Sequence, residues 1–131
     1  MPEGPDAEVV SLEDVVLLDE EAIARGREAF LAGDLAGAEA AFAEALEGDP
    51  SAAEALHGLA RSVRARDPAR ARDALERAVA ARPHLFEAWR ALAIVCAAHG
   101  DEAATRSAVE GARACAPSPG AARAVELDVI R

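Results

Sequence analysis

The segments ALEGDP (residues 45–50), AVAARP (78–83) and ARACAP (112–117) decide the fold, because each places a proline five residues after an alanine. The three prolines are separated by 33 and then 34 residues. A repeat at this period is typical of stacked supersecondary units, each of which buries its faces only against its neighbours. We therefore expect a repeat protein.

The composition favours helices over strands. Of the 131 residues, 52% are apolar but only 3% are aromatic, and alanine, the strongest helix former, occurs along the whole chain. β-branched residues cluster only within residues 9–18. The chain is long enough to bury a core as one domain. These features predict an all-α fold.

Start and stop signals for helices recur at the spacing of paired helices. Asp34, Asp67 and Asp101 can each cap the second helix of a pair, because an aspartate side chain accepts a hydrogen bond from a free amide of the first turn. Gly33 and Gly100 end the helices that precede two of these caps. The pattern predicts helical hairpins with turns of only a few residues.

The first helices of the pairs have start signals of other kinds. Asp19 is a candidate cap, Ser51 and Glu54 form a capping-box pattern, and Ser118 precedes Pro119 at a first helical position. The predicted helices cover residues 20–32, 35–47, 51–66, 68–81, 84–99, 101–115 and 118–130.

The residues inside these hairpins resemble the tetratricopeptide repeat, in which the first helix carries Trp, Leu and a small residue and the second carries Ala, an aromatic residue, Ala and Pro. Two positions depart from that pattern: Arg25 replaces a packing leucine, and Thr105 replaces a small alanine. The matching residues are Gly33, Asp34, Ala38, Phe42, Ala45 and Pro50 in the first unit, Leu56, Leu59, Ala60, Val63, Ala71, Leu75, Ala78 and Pro83 in the second, and Trp89, Leu92, Ala93, Cys96, Gly100, Asp101, Val109, Ala112 and Pro117 in the third.

The resemblance covers about residues 19 to 119 and implies an α-solenoid. Three helical hairpins would coil into a right-handed superhelix, and a C-terminal solvating helix would cover its end. The implied division of the chain is an acidic N-terminal segment (1–18), three repeats (19–52, 53–85 and 86–118) and a capping helix (119–131).

The resemblance also implies that the first helices line a concave surface that binds a peptide or protein partner. The predicted partner-binding residues are Ile23, Arg27, His57, Arg61, Arg64, Arg90 and Ile94. A guanidinium forms paired, charge-assisted hydrogen bonds with a carboxylate, so four arginines suit an acidic peptide or a free C-terminus. The alternative is that these arginines only solvate the face and pair with Glu20, Glu54 and Glu87. Family members that bind chaperone C-termini use a lysine and an asparagine in the first unit, where this chain has Ile23 and Arg27.

The N-terminal segment holds most of the negative charge. Residues 1–21 contain eight acids and no base, whereas the remaining 110 residues contain 14 arginines and 16 acids and sum to −2. Its apolar residues either cover the first hairpin or form a docking segment that enters an arginine-lined groove, in the same chain or in another copy. The candidate docking residues are Val9, Leu12, Val15, Val16, Leu17 and Leu18.

Several function classes lack support in the sequence. The net charge of −10 argues against nucleic acid binding, and no signal peptide or membrane-spanning run is present. Cys96 and Cys115 are too few for a disulfide framework, and the three histidines are too scattered for a metal or catalytic site. We expect no cofactor, no metal and no enzyme activity. The use of arginine for all 14 basic residues is typical of a bacterial coding sequence of high GC content.

The expected function is that of a cytoplasmic adaptor or assembly subunit that presents a concave face to a protein or peptide partner. Two alternatives stay open. One is a structural subunit that self-associates through the N-terminal segment, and the other is a dedicated secretion or assembly chaperone.

Overall fold

A computed structural model describes residues 12–130, and its side chains are described from residue 20 to residue 129. Within that range the chain is helical, with short turns and no strand. Each helix is too short or too polar to span a lipid bilayer. The helices are α1 (Leu12–Leu31), α2 (Leu35–Gly48), α3 (Ala53–Val63), α4 (Pro68–Ala81), α5 (Phe86–Ala98), α6 (Glu102–Cys115) and α7 (Pro119–Ile130).

The second helix of each hairpin begins as predicted. The backbone N–H of Gly37 donates to Asp34 Oδ1 at 2.9 Å, and Asp67 and Asp101 accept equivalent bonds, each of 3.1 Å, at the starts of α4 and α6. Gly33 and Gly100 have φ angles of 85° and 74°, a region that glycine enters without steric cost, and they close the turns before α2 and α6. Helix α7 also begins as predicted, with the Ser118 hydroxyl accepting a 3.1 Å bond from the N–H of Ala121.

Three predicted helix starts are wrong, one of them that of α5, which begins at Phe86 and not at residue 84. Helix α1 begins at Leu12 and continues through Asp19, because an aspartate inside a helix costs less than about 1 kcal/mol and extending a helix is easier than nucleating a new one. The predicted boundary between residues 18 and 19 therefore falls inside α1. The capping box is also wrong, since α3 begins at Ala53 and the N–H of Ser51 donates instead to Asp49 Oδ1 at 3.0 Å. Helix α3 also ends at Val63, before the predicted end at residue 66.

The helices form an open stack. Helices α1 and α2, α3 and α4, and α5 and α6 pair as hairpins, and each second helix packs against the next hairpin. Helix α7 packs on both α5 and α6. In the described part of the chain, every extensive helix contact joins helices that are adjacent or two apart in sequence. This arrangement confirms the predicted solenoid of three hairpins with a final helix.

Small side chains allow close helix packing, as expected. The alanines of the repeat pattern are fully buried: Ala38, Ala45, Ala71, Ala78 and Ala112. The ring of Phe42 is only 3% exposed and fits between two glycines, because a Cβ on Gly58 would lie 2.4 Å from the ring and a Cβ on Gly26 would lie 2.7 Å from it. Trp89 packs against Gly111 in a similar way, because a Cβ on Gly111 would lie 2.5 Å from the indole ring.

The two departures from the repeat pattern are accommodated by polar contacts. Arg25 is exposed and forms an ion pair with Glu44 across the first hairpin. The Thr105 hydroxyl donates to the carbonyl oxygen of Asp101 at 2.7 Å, within the first turn of α6.

Candidate partner-binding groove

The structure brings the predicted partner-binding residues together on the first helices. Ile23 and Arg27 line one depression with Glu20 and Glu54. A second depression, between α3 and α5, is lined by His57, Arg61, Arg64, Glu87, Arg90, Ala91 and Ile94. A smaller pocket shares Arg27 with the first depression and Arg61 with the second. We call the surface formed by these three depressions the inner groove.

Helix periodicity explains this placement. Residues four and seven positions apart lie on the same face of an α-helix, and the relation holds for His57, Arg61 and Arg64 of α3. Glu87 and Ile94, seven residues apart on α5, follow the same rule. The groove is therefore a direct consequence of stacking three helices that each carry one such stripe.

Two of the four predicted arginines are already paired. Arg27 Nη2 lies 2.6 Å from Glu54 Oε1, which joins α1 to α3. Arg90 Nε lies 2.8 Å from Asp128 Oδ2 on α7, and its Nη1 lies 3.9 Å from Glu87 Oε2. The hydrogen bond to Asp128 raises the pKa of Arg90. For these two arginines, the alternative prediction of a solvating role with acidic neighbours agrees with the contacts.

The other two arginines have no such partner. Arg61 and Arg64 form no ion pair with any residue from 20 to 129. The guanidinium carbon of Arg61 lies 4.2 Å from the centroid of the Phe30 ring, a cation–π contact that leaves its N–H donors at the surface. Both arginines lie at the carboxyl end of α3, where the helix dipole favours positive charge. Within residues 20–129, positive charge without an ion-pair partner is thus concentrated at Arg61 and Arg64.

His57 is electrically neutral near pH 7. Burial lowers its pKa below the ordinary value of 6.5, and the charge of Arg61 lowers it further, while Glu87 and Glu54 act in the opposite direction.

Some residues of the groove were not among the predicted ones. Phe30 lies seven residues after Ile23, so the same spacing that selected Ile23 and Arg27 could have found it. Asp128 gives no comparable signal, since its pairing with Arg90 depends on how α7 packs against α5. Which arginines are compensated follows from contacts between helices.

The predicted docking segment is described only in part. Val9 lies outside the described residues, whereas Leu12, Val15, Val16, Leu17 and Leu18 belong to the first turns of α1. Their helical backbone changes the form of the hypothesis, because these residues cannot act as an extended peptide while α1 is intact. A docking role for the segment remains a prediction.

The described residues offer no assembled catalytic or metal site. No three histidine, cysteine, aspartate or glutamate side chains among them converge so that they could hold a metal ion. Burial raises the pKa of the Cys96 thiol, which disfavours the reactive thiolate.

Comparison with solved structures identifies proteins of similar fold. The chain is similar to the TPR2B domain of yeast Sti1 in its complex with pHsp70 (TM-score 0.78, 20% identity, covering 87% of this chain and 94% of that one). It is also similar to the first TPR domain of Spaghetti (RPAP3) bound to the HSP90 peptide SRMEEVD (TM-score 0.71, 17% identity, covering 91% and 95%). A third similar structure is a mutant O-GlcNAc transferase from Thermobaculum terrenum (TM-score 0.79, 22% identity), of which this chain covers 23%.

These likenesses confirm the tetratricopeptide-repeat fold, with three repeats and a capping helix. No known family profile and no curated protein matches the sequence.

Proposed function

We propose that the protein is an adaptor that binds an acidic peptide or protein segment in the inner groove. The observation that carries the proposal is the pair Arg61 and Arg64, two adjacent cations of α3 without an ion-pair partner among the described side chains. Each guanidinium can donate two parallel hydrogen bonds to one carboxylate. An acidic segment would supply the missing partners.

The solved relatives support a peptide-binding role of this kind. The RPAP3 domain is bound to the peptide SRMEEVD, which has three acidic residues and one basic residue, and the Sti1 domain is in complex with pHsp70. In the present chain Arg27 is paired with Glu54, so the proposed carboxylate site lies on α3 and not on the first repeat. We therefore propose a different acidic partner and not the same peptide.

Fluorescence anisotropy with defined peptides tests the proposal. We expect the labelled acidic peptide DDELEDD to bind, and its uncharged counterpart NNQLQNN to bind at least about 30-fold more weakly. The double variant Arg61→Glu, Arg64→Glu should lose about 100-fold in affinity, since charge-assisted hydrogen bonds contribute about 1.5–3 kcal/mol each. The matched control Arg82→Glu, Arg123→Glu makes the same charge change at exposed positions outside the groove. Equal binding of both peptides, or equal loss in both variants, would contradict the proposal.

A second candidate function is self-association through the N-terminal segment. The observation in its favour is charge: residues 1–21 carry eight acids and no base, opposite in sign to the unpaired arginines of the groove. Removing residues 2–11 leaves the whole of α1 in place, which makes it a cleaner test than a deletion that cuts into the helix. Light scattering should show a fall in mass on this deletion and on the Arg61→Glu, Arg64→Glu change. An unchanged mass in both would reject self-association by this route.

The remaining expectations stay predictions from the sequence. They are the cytoplasmic location and the role of a dedicated secretion or assembly chaperone. Co-purification of one stable client from the native cell would favour the chaperone over a general adaptor.

A further inference from the structure

A small apolar pocket adjoins the unpaired charge of the inner groove. It has a volume of about 120 Å³ and lies between α1 and α3. Phe42 and Gly58 contribute buried atoms, while Leu31, at its rim, is 84% exposed. Phe30, Arg27 and Arg61 complete the lining. An apolar pocket next to exposed cations is an arrangement that the packing of the hairpins alone does not require.

The walls of the pocket are held in place. The Phe42 ring cannot move toward the helix backbones, because a side-chain carbon at Gly26 or Gly58 would already lie within 2.7 Å of it. The Phe30 ring is covered on one face by the Arg61 guanidinium at 4.2 Å. The pocket is therefore preformed, which lowers the entropic cost of filling it.

We propose that this pocket receives one aliphatic side chain of the bound acidic segment, directly adjoining the carboxylate that binds Arg61. The inference rests on the proposed function and adds the chemistry of the ligand. An apolar cavity of about 150 Å³ can hold a benzene-sized group, so a pocket of this volume suits Leu, Ile, Val or Met but not the larger indole of Trp.

Charge complementarity indicates where the carboxylate of the bound segment lies. Arg61 lies at the pocket and, among the described residues, has no anionic partner, whereas Arg27 on the other side is paired with Glu54 at 2.6 Å. The acidic group of the ligand therefore binds on the α3 side, next to its aliphatic neighbour. Arg64, one turn further along α3, is available for a second carboxylate.

Three labelled peptides that differ only at the central residue test the inference: DDELEDD, DDESEDD and DDEWEDD. We expect the leucine peptide to bind the full chain about tenfold more tightly than the serine peptide, which corresponds to about 1.4 kcal/mol. The tryptophan peptide should bind no more tightly than the serine peptide. The ratio of the leucine and serine affinities measures the pocket alone, since the peptides carry the same charge.

Two variants test whether the preference for the leucine peptide arises in this pocket. Leu31→Ser removes an exposed rim residue and should lower the leucine-to-serine ratio by about half without affecting the fold. Phe30→Ala removes a wall and should bring the ratio to about two or less, with circular dichroism as the check on folding. The matched control is Leu35→Ser, because Leu35 is also an exposed leucine, at 43%, but does not line the pocket.

The possible results separate the inference from the proposed function. Equal binding of the leucine and serine peptides, with Arg61→Glu still abolishing both, would overturn the pocket and leave the adaptor function standing. No binding of any acidic peptide would overturn both. If Leu31→Ser and Phe30→Ala both keep the preference for the leucine peptide, the leucine side chain binds outside this pocket. If the leucine peptide binds only after residues 2–11 are removed, the occupant is the chain's own N-terminal segment and not a foreign ligand.

Discussion

The arginines of the second helices and those of α3 have opposite surroundings. On the outer side of the stack, four arginines of the second repeat each contact a neighbouring repeat; one lies just before α4 and three lie on it. Their partners are 27 to 31 residues away in sequence. On the inner side, Arg61 and Arg64 reach no acidic group among the described residues. The outer contacts are Arg66 and Arg70 to Glu39, Arg72 to Asp101, and Arg77 to the carbonyl oxygen of Pro50.

This difference shows one residue type in two roles. The outer arginines connect the second repeat to both of its neighbours, and the hydrogen bond from Arg70 is the main reason that the pKa of Glu39 is lowered. Exposed ion pairs contribute about 0.2–1 kcal/mol each, so they orient the hairpins more than they stabilise them. Among the described residues, Arg61 and Arg64 form no ion pair of this kind, and the contact of Arg61 with α1 is the cation–π contact with Phe30. The proposed function assigns their N–H donors to the carboxylates of a partner.

The largest stability effect should come from reversing charge on the outer side. The double change Arg66→Glu, Arg70→Glu would place three carboxylates together at Glu39, and we expect the free energy of unfolding to fall by about 1–2 kcal/mol. Urea unfolding monitored by circular dichroism measures it. Affinity for DDELEDD should stay within about twofold, in contrast to the inner pair. If Arg66→Glu, Arg70→Glu loses affinity for the peptide but not stability, the distinction between outer and inner arginines is wrong.

The hairpins were predictable from sequence because their signals are local. Asp34, Asp67 and Asp101 each bond an amide three residues away, so neighbouring residues alone determine these helix starts. Ser51 shows how a local signal fails when a second one competes: Asp49 accepts its N–H in a turn, and the helix starts one residue too late for the capping box.

The compensation of the arginines was predictable only in part: Glu54 and Glu87 were candidate partners, but which arginine each one meets depends on distant residues. Arg27 forms an ion pair with Glu54, which lies one repeat away. Arg90 forms an ion pair with Asp128 on α7, a helix whose position follows from packing. The spacing within each first helix identified the face of the groove. It contains no information about which long side chains meet across helices.

A smaller effect is expected from removing the closer of the two ion-pair partners of an inner arginine. Asp128→Asn removes the main partner of Arg90 while keeping the size of the side chain, and we expect affinity for DDELEDD to rise about fivefold. The matched control is Glu126→Gln, which breaks the 3.2 Å contact between α7 and Arg113 outside the groove. If the control raises affinity equally, loosening of α7 and not the release of Arg90 is responsible.

The smallest effect should appear in the pH dependence of binding. Burial keeps the pKa of His57 below 6.5 in the free protein, and a carboxylate bound nearby would raise it, so the complex takes up a proton more readily than the free protein as the pH falls. Affinity for DDELEDD should therefore rise about threefold between pH 8 and pH 5.5, a range in which aspartate and glutamate stay ionised. His57→Gln should make the profile flat, whereas His84→Gln, at an exposed position outside the groove, should leave it unchanged. If the affinity of His57→Gln still rises as the pH falls, another group takes up the proton. His57 would then be a residue that only lines the groove.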